Sequence, residues 1–209
     1  MKTKKVYKVS KYNQHKEKIL ELSQEILFKK GYSGLKVDEL AKELSMSKKT
    51  IYKIFASKEE IVKNMIKRFL IRIDREVSHI VKSYDDPLQR LQQIIYYMGN
   101  ELSKIEKPYF DLKKVLPSLW KETEDFREKK FKYLHDILKE GKEKGWIRND
   151  VNLEIALLMY IGAVRYVTDP EVVLNQSFSL KEIVENVIKI FFEGILSNGV
   201  RINKYRERN

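Results

Sequence analysis

The sequence contains no cysteine, and that absence removes disulfides, thiolate catalysis and cysteine-ligated zinc. It fits a reducing interior, so the cytoplasm is the expected location. Four prolines and eight glycines leave little material for the turns of a sheet protein, which favours helices. No run of ~18 or more apolar residues occurs, and no apolar signal-peptide core follows the basic amino terminus MKTKKVYKVSKYNQHKEK. Neither export nor a membrane span is expected. Histidine is scarce too: His15, His79 and His135 stand alone, with no i, i+4 pair. There is no glycine-rich phosphate loop, and Glu122, Glu124 and Asp125 read as a solvated face. Nothing in the residues marks an enzyme, a metal site or a cofactor site.

What is present is a hydrophobic content of 43% beside 34% charged residues, the balance of a soluble globular protein. The 209 residues suffice for one sizeable core or for a small domain joined to a larger one. The net charge of +12 is unevenly placed. Residues 1–58 hold 15 Lys and Arg against 6 Asp and Glu, residues 59–200 hold 23 against 23, and residues 201–209 hold 4 against 1. A cationic amino-terminal quarter on a neutral body points to a polyanion, either nucleic acid or an anionic membrane.

Apolar periodicity predicts about nine helices and no strand, an all-α fold. Ile19, Leu22, Ile26 and Leu27 mark a first helix over 14–30, stopped by Gly31. Val37, Leu40, Ala41 and Leu44 mark a short second helix, and Ser45-Met46-Ser47 separates it from a third. Ser57 and Glu60 form a capping-box signature for a long helix to about residue 82. Asp86-Pro87 opens the next, to about 105; Pro108 and Pro117 bracket a short segment, and a helix over 118–144 ends at Gly145. IALLMYIGAVRYV, 155–167, is apolar nearly all round yet too short to span a bilayer, so it needs the core on one face and a second subunit on the other. Ser179 and Glu182 cap a last helix that ends near Gly199.

The stretch SMSKKTIYKIF, residues 45–55, carries the charge puzzle of the chain. With Ser47 as N-cap, a helical wheel places Ile51, Ile54 and Phe55 on one side and Lys48, Lys49, Tyr52 and Lys53 on the other. Lys48 and Lys49 then stand in the first turn, where the helix dipole disfavours a cation by ~0.3–1 kcal/mol. The ordinary reading of such a run is a solvated basic face. The tight turn between two short helices points instead to a helix-turn-helix whose second helix enters a major groove, where phosphates supply the missing anion.

The residues ILELSQEILFKKGYSGLKVDELAKELSMSKKTIYKIFASKEEI, 19–61, resemble the DNA-binding domain of the tetracycline-repressor (TetR/AcrR-like) family of bacterial transcription regulators. The resemblance lies in the helix ending in Gly31-Tyr32, Val37-Asp38-Glu39-Leu40-Ala41, Ser47-Lys48-Lys49-Thr50-Ile51-Tyr52, Phe55 and Ser57-Lys58-Glu59. It implies phosphate or base contacts for Ser47, Lys48, Thr50, Tyr52 and Lys58, and a core role for Phe55. Three positions depart from the family pattern. Ser45 stands where glycine is common in the turn; Lys36 replaces a capping hydroxyl but could still reach a phosphate; Lys49 stands where a small residue is frequent. Groove geometry gives base edges to Lys49, Thr50 and Lys53, and the DNA backbone to Tyr52, Lys48 and Lys58. Tyr32 is a backbone contact or a packing residue.

The implied organisation is a flexible basic arm over 1–12, a helix-turn-helix domain over 13–58, a ligand-binding and dimerisation domain over 59–199 and a basic tail over 200–209. The resemblance implies a repressor that binds a palindromic operator in double-stranded DNA as a homodimer and leaves it on binding a small molecule. The dimer would use Leu157, Tyr160, Ile161 and Val164 with Val184, Ile188, Phe191, Phe192 and Ile195. Tyr96, Tyr97, Phe110, Trp120, Tyr160 and Tyr166 are the candidates for an effector cavity, although aromatics at helical spacing are ordinarily core. Arg165 needs a partner amid apolar neighbours: a salt bridge across the dimer or an anionic effector. The alternative from another class is a membrane-surface or scaffold protein whose basic segment meets anionic lipid.

Overall fold

The computed structural model describes residues 2–104, 113, 115–167, 169, 172 and 177–201; for residues 2–10 it gives the backbone only. Among them are eight helices: α1 (Lys2–Gly34), α2 (Val37–Glu43), α3 (Lys48–Tyr52), α4 (Lys58–Ser83), α5 (Pro87–Ser103), α6 (Pro117–Glu143), α7 (Leu153–Val167) and α8 (Leu180–Ile195). No strand forms among the described residues, and the fold is all-α. The chain divides into two compact units, one of Met1–Ile71 with Tyr109–Trp120, the other of Arg72–Pro108 with Lys121–Asn209.

Local chemistry sets most helix ends. Gly31 (φ 71°, ψ −177°) breaks α1 in a backbone region that is essentially glycine's alone. Asp86 caps α5 by accepting from the Gln89 N–H at 2.9 Å, with Pro87 at the first helical position. Ser179 and Glu182 form the full capping box of α8. At α4, Ser57 Oγ accepts from the Glu60 N–H, while the Glu60 carboxylate reaches back to the Ala56 N–H, one residue before the expected partner.

Three boundaries differ from the periodicity. α1 starts at Lys2 because nothing between there and Gly31 is glycine or proline and lysine is a good helix former. α7 starts at Leu153 because Asn152 Oδ1 accepts from the Glu154 and Ile155 N–H groups. α8 stops at Ile195, short of Gly199, because Leu196 turns extended and pairs with Ile147: Arg148 N–H donates to the Ile195 carbonyl and Ser197 N–H to that of Trp146.

In the first unit, Ile19, Leu27, Leu40, Ile51 and Phe55 are buried with Ile61, Val62, Met65 and Ile66 from the first half of α4. That apolar stripe carries the unit past Lys58 into α4, and Phe28 and Phe69 meet edge to face at 5.4 Å. In the second unit α8 packs on α5 and α7. A Cβ at Gly99 would lie 2.7 Å from Ile188 Cδ1, so glycine lets α5 approach α8 closely. Arg90 donates to Glu140 at 2.8 Å, joining α5 to α6. The buried Glu101 takes Arg72 of α4 at 2.7 Å and Lys104 at 2.6 Å. Burial raises the Glu101 pKa, and the two cations outweigh it, holding the carboxyl below its usual range.

Candidate nucleic-acid interface

The turn between α2 and α3 is a Schellman motif built on a serine. The Ser45 N–H donates to the Lys42 carbonyl at 3.1 Å and the Met46 N–H to the Ala41 carbonyl at 2.8 Å, with Ser45 at φ 50°. The same pattern ends α6, where Gly145 (φ 75°) and Trp146 donate to Lys142 and Gly141. A left-handed residue with a Cβ costs about 1–2 kcal/mol. Ser45→Gly is therefore expected to raise stability by about 1 kcal/mol, or ~2–4 °C in a thermal melt, without altering DNA binding.

α3 begins at Ser47, whose Oγ accepts from the Thr50 N–H at 3.0 Å and shares a hydrogen bond with the Thr50 hydroxyl at 2.8 Å. With its hydroxyl occupied, Thr50 has its methyl left to offer a thymine methyl. Ile51 and Phe55 are buried and Ile54 half-buried, while Lys48, Lys49, Tyr52 and Lys53 are exposed. The two faces of the short helix separate as the wheel predicts.

The cations of this surface are of two kinds. Lys49 and Lys53 have no side-chain partner among the described residues. Lys48 is ion-paired to Asp38 of α2, and Lys30 to Glu39 at 2.6 Å. Lys36 occupies the α2 N-cap without any side-chain cap, so the missing hydroxyl is not replaced; Asp38 and Glu39 in the first turn complement the dipole instead. Lys58 lies over the ring of Tyr32, with Nζ 3.9 Å from the centroid. Sequence reasoning missed the Asp38 and Tyr32 pairings, because each joins residues on different helices.

The other sequence candidates fall in both units. Phe110 and residues 202–209 of the tail lie outside the described residues. Trp120 belongs to the first unit and the remaining effector candidates to the second. There, Tyr96 stacks on Phe192 at 6.4 Å, Tyr160 is buried against Phe191 at 4.7 Å and Tyr166 is exposed. Tyr97 is half-buried on α5. Burial raises the hydroxyl pKa of both Tyr96 and Tyr160. Arg165 meets Glu128 at 3.2 Å and Glu124 at 3.5 Å on α6 of its own chain.

The dimer candidates divide by burial. Leu157, Tyr160, Val184, Ile188, Phe191, Phe192 and Ile195 are buried within the protomer, and Ile161 and Val164 are half-buried. On α7 and α8 the large apolar side chains left in solvent are Ile155, Leu158, Met159, Tyr166 and Ile190. Ile155, Met159 and Ile190 line a groove of about 540 Å³ between the two helices.

A helix-turn-helix unit that buries its apolar face and presents lysines and a tyrosine defines a DNA-binding protein, and comparison with known proteins gives its family. Residues 19–65 match the tetR family of bacterial regulatory proteins, and residues 110–194 the C-terminal region of YsiA-like protein. The chain is 30% identical over 155 residues to the transcriptional regulator QacR of Staphylococcus aureus, covering 66% of this chain and 76% of that protein. The chain belongs to the tetR family and is a DNA-binding transcriptional regulator. Two solved structures share the fold. FadR of Bacillus subtilis in complex with stearoyl-CoA has a TM-score of 0.58 at 20% identity, covering 86% of this chain and 98% of that one. A regulator from Saccharomonospora viridis in complex with choline has a TM-score of 0.68 at 14% identity, covering 89% and 100%.

Proposed function

We propose that the protein is a repressor that binds a palindromic operator as a homodimer and leaves it when a small molecule binds the larger helical domain. The observation that carries the DNA half is α3 itself: capped by Ser47, anchored by Ile51 and Phe55, with Lys49 and Lys53 exposed and without a side-chain partner among the described residues. Two such helices must stand about 34–36 Å apart, or a multiple of it, to enter successive major-groove faces. In this reading Lys49, Thr50 and Lys53 meet base edges, Lys36, Ser47, Tyr52 and Lys58 hold the backbone, and Lys48 exchanges Asp38 for a phosphate. The lipid alternative needs apolar side chains to insert, and those of α3 are in the core.

The homodimer rests on the exposed apolar face of α7 and α8. Effector release rests on the family and on the two ligand-bound neighbours. Stearoyl-CoA and choline differ so much in size and charge that this chain's effector is set by its own lining.

Selecting duplexes from a random pool is expected to enrich an inverted repeat; retention of every duplex with equal affinity at fixed salt would refute the reading. With the selected duplex, Lys53→Ala should relax base preference at one position by about 1–3 kcal/mol. Lys58→Ala should weaken all duplexes alike and reduce the salt slope by about 1. Fluorescence anisotropy over a salt series measures both, and the reverse pattern would exchange the two roles.

A further inference from the structure

The chain has eight glycines, and six of them have a reason inside the protomer. Gly31, Gly145 and Gly199 hold a positive φ, and a Cβ at Gly34, Gly99 or Gly141 would stand 2.3, 2.7 or 3.4 Å from Lys30, Ile188 or Ile147. Gly162 and Gly194 have neither reason. Each is exposed inside a regular helix, and a Cβ there would meet nothing within 4 Å outside its own turn among the described residues. Glycine is the poorest helix former after proline, so alanine would serve the protomer better at both places. At about 100° per residue, Gly162 falls within about 20° of Ile155 and about 40° of Leu158 and Tyr166, at the middle of the exposed apolar face of α7. Gly194 falls about 40° from Ile190 on α8 and lines the same groove as Ile155 and Met159.

We infer that Gly162 and Gly194 are specificity-determining positions of the homodimer, where helices of a second copy come down onto the backbone of α7 and α8. The inference rests on the homodimer proposed above and adds which positions decide its fit. Packed helix axes stand about 8–10 Å apart according to the side chains between them, and glycine at a crossing gives the low end of that range. An isologous interface uses each such position twice, so the fit depends on both copies lacking a side chain there. The chemistry of the face favours a copy of this chain over other occupants. The charged and amide side chains of the groove are already engaged, Asp150 by Arg148 at 2.6 Å and Asn152 by the first N–H groups of α7, which leaves little polar recognition for a small molecule. Lys189 and Glu193, beside Ile190, pair at 4.0 Å, and residues 59–200 carry equal numbers of both signs. Such a face can meet itself without like-charge repulsion and offers nothing extra to a strongly charged partner.

The test uses the full-length chain, with the dimer dissociation constant read by sedimentation over a dilution series. Gly162→Ala and Gly194→Ala are each expected to weaken the dimer about 10-fold or more, because a methyl group at a close crossing forces the helices apart in both copies. Gly162→Leu and Gly194→Leu should abolish it. In the Ile190→Glu background, where no dimer forms, the same alanines should act in the opposite sense and raise the thermal midpoint by about 2–4 °C each. A midpoint that fails to rise there would show that the protomer itself needs the glycine. A dimer of wild-type affinity in either alanine variant would show that no helix comes close. Either result overturns the inference. The homodimer reading fails separately: a wild-type chain that sediments as a monomer gives the face to another occupant and removes both. A wild-type dimer that Ile190→Glu splits and the alanines do not keeps the homodimer and sinks the glycines alone.

Discussion

Ile190→Glu is expected to leave the protomer folded while converting the protein to a monomer that no longer holds its operator. Ile190 is 68% exposed on α8, so a carboxylate there stays in water and changes protomer stability by no more than ~0.5 kcal/mol. It lines the α7–α8 groove beside Ile155 and Met159, and Met159 is itself 70% exposed. In a two-fold interface each such patch meets its own copy, so two carboxylates would be buried without partners, at several kcal/mol each. Losing the dimer also loses the second half-site, and operator affinity should fall by about 100-fold or more. Light scattering, far-UV circular dichroism and anisotropy measure the three effects. A stable dimer with wild-type affinity would show that the protomers meet elsewhere.

Phe192→Ala is expected to do the opposite. Phe192 is 0% exposed, stacks on Tyr96 of α5 and meets Phe191 edge to face at 5.7 Å. Truncating a buried phenylalanine costs about 3–5 kcal/mol through lost transfer energy and the cavity left behind. The loss should appear in the denaturation midpoint at every protein concentration, because the contact lies within one protomer. A loss that shrinks on dilution would return Phe192 to the interface.

These two residues mark the limit of what the sequence shows. Ile190 and Phe192 both widen the same apolar stripe, and periodicity alone cannot tell which of them a neighbouring helix of the same chain will cover. The helix starts at Asp86 and Ser179, the stops at Gly31 and Gly145 and the inward face of Ile51 and Phe55 were legible, because each depends on residues within a turn of one another. The features missed depend on distant partners. α8 ends where Ile147 pairs with Leu196, Arg165 points to α6, and Lys48 and Lys58 are held by Asp38 and Tyr32. Such pairings exist only once the chain has folded. Asn152 was missed for a different reason, since an N-cap precedes the apolar run that draws attention to a helix.

The pairing of Ile147 with Leu196 has a mechanical consequence. It pins the end of α8 to the segment that leads into α7, while the two helices also pack along their lengths. Neither can slide or roll without the other, so the pair behaves as a stiff plate rather than as two rods. In the proposed homodimer such a plate would meet its own copy as one unit, not as two independently moving helices.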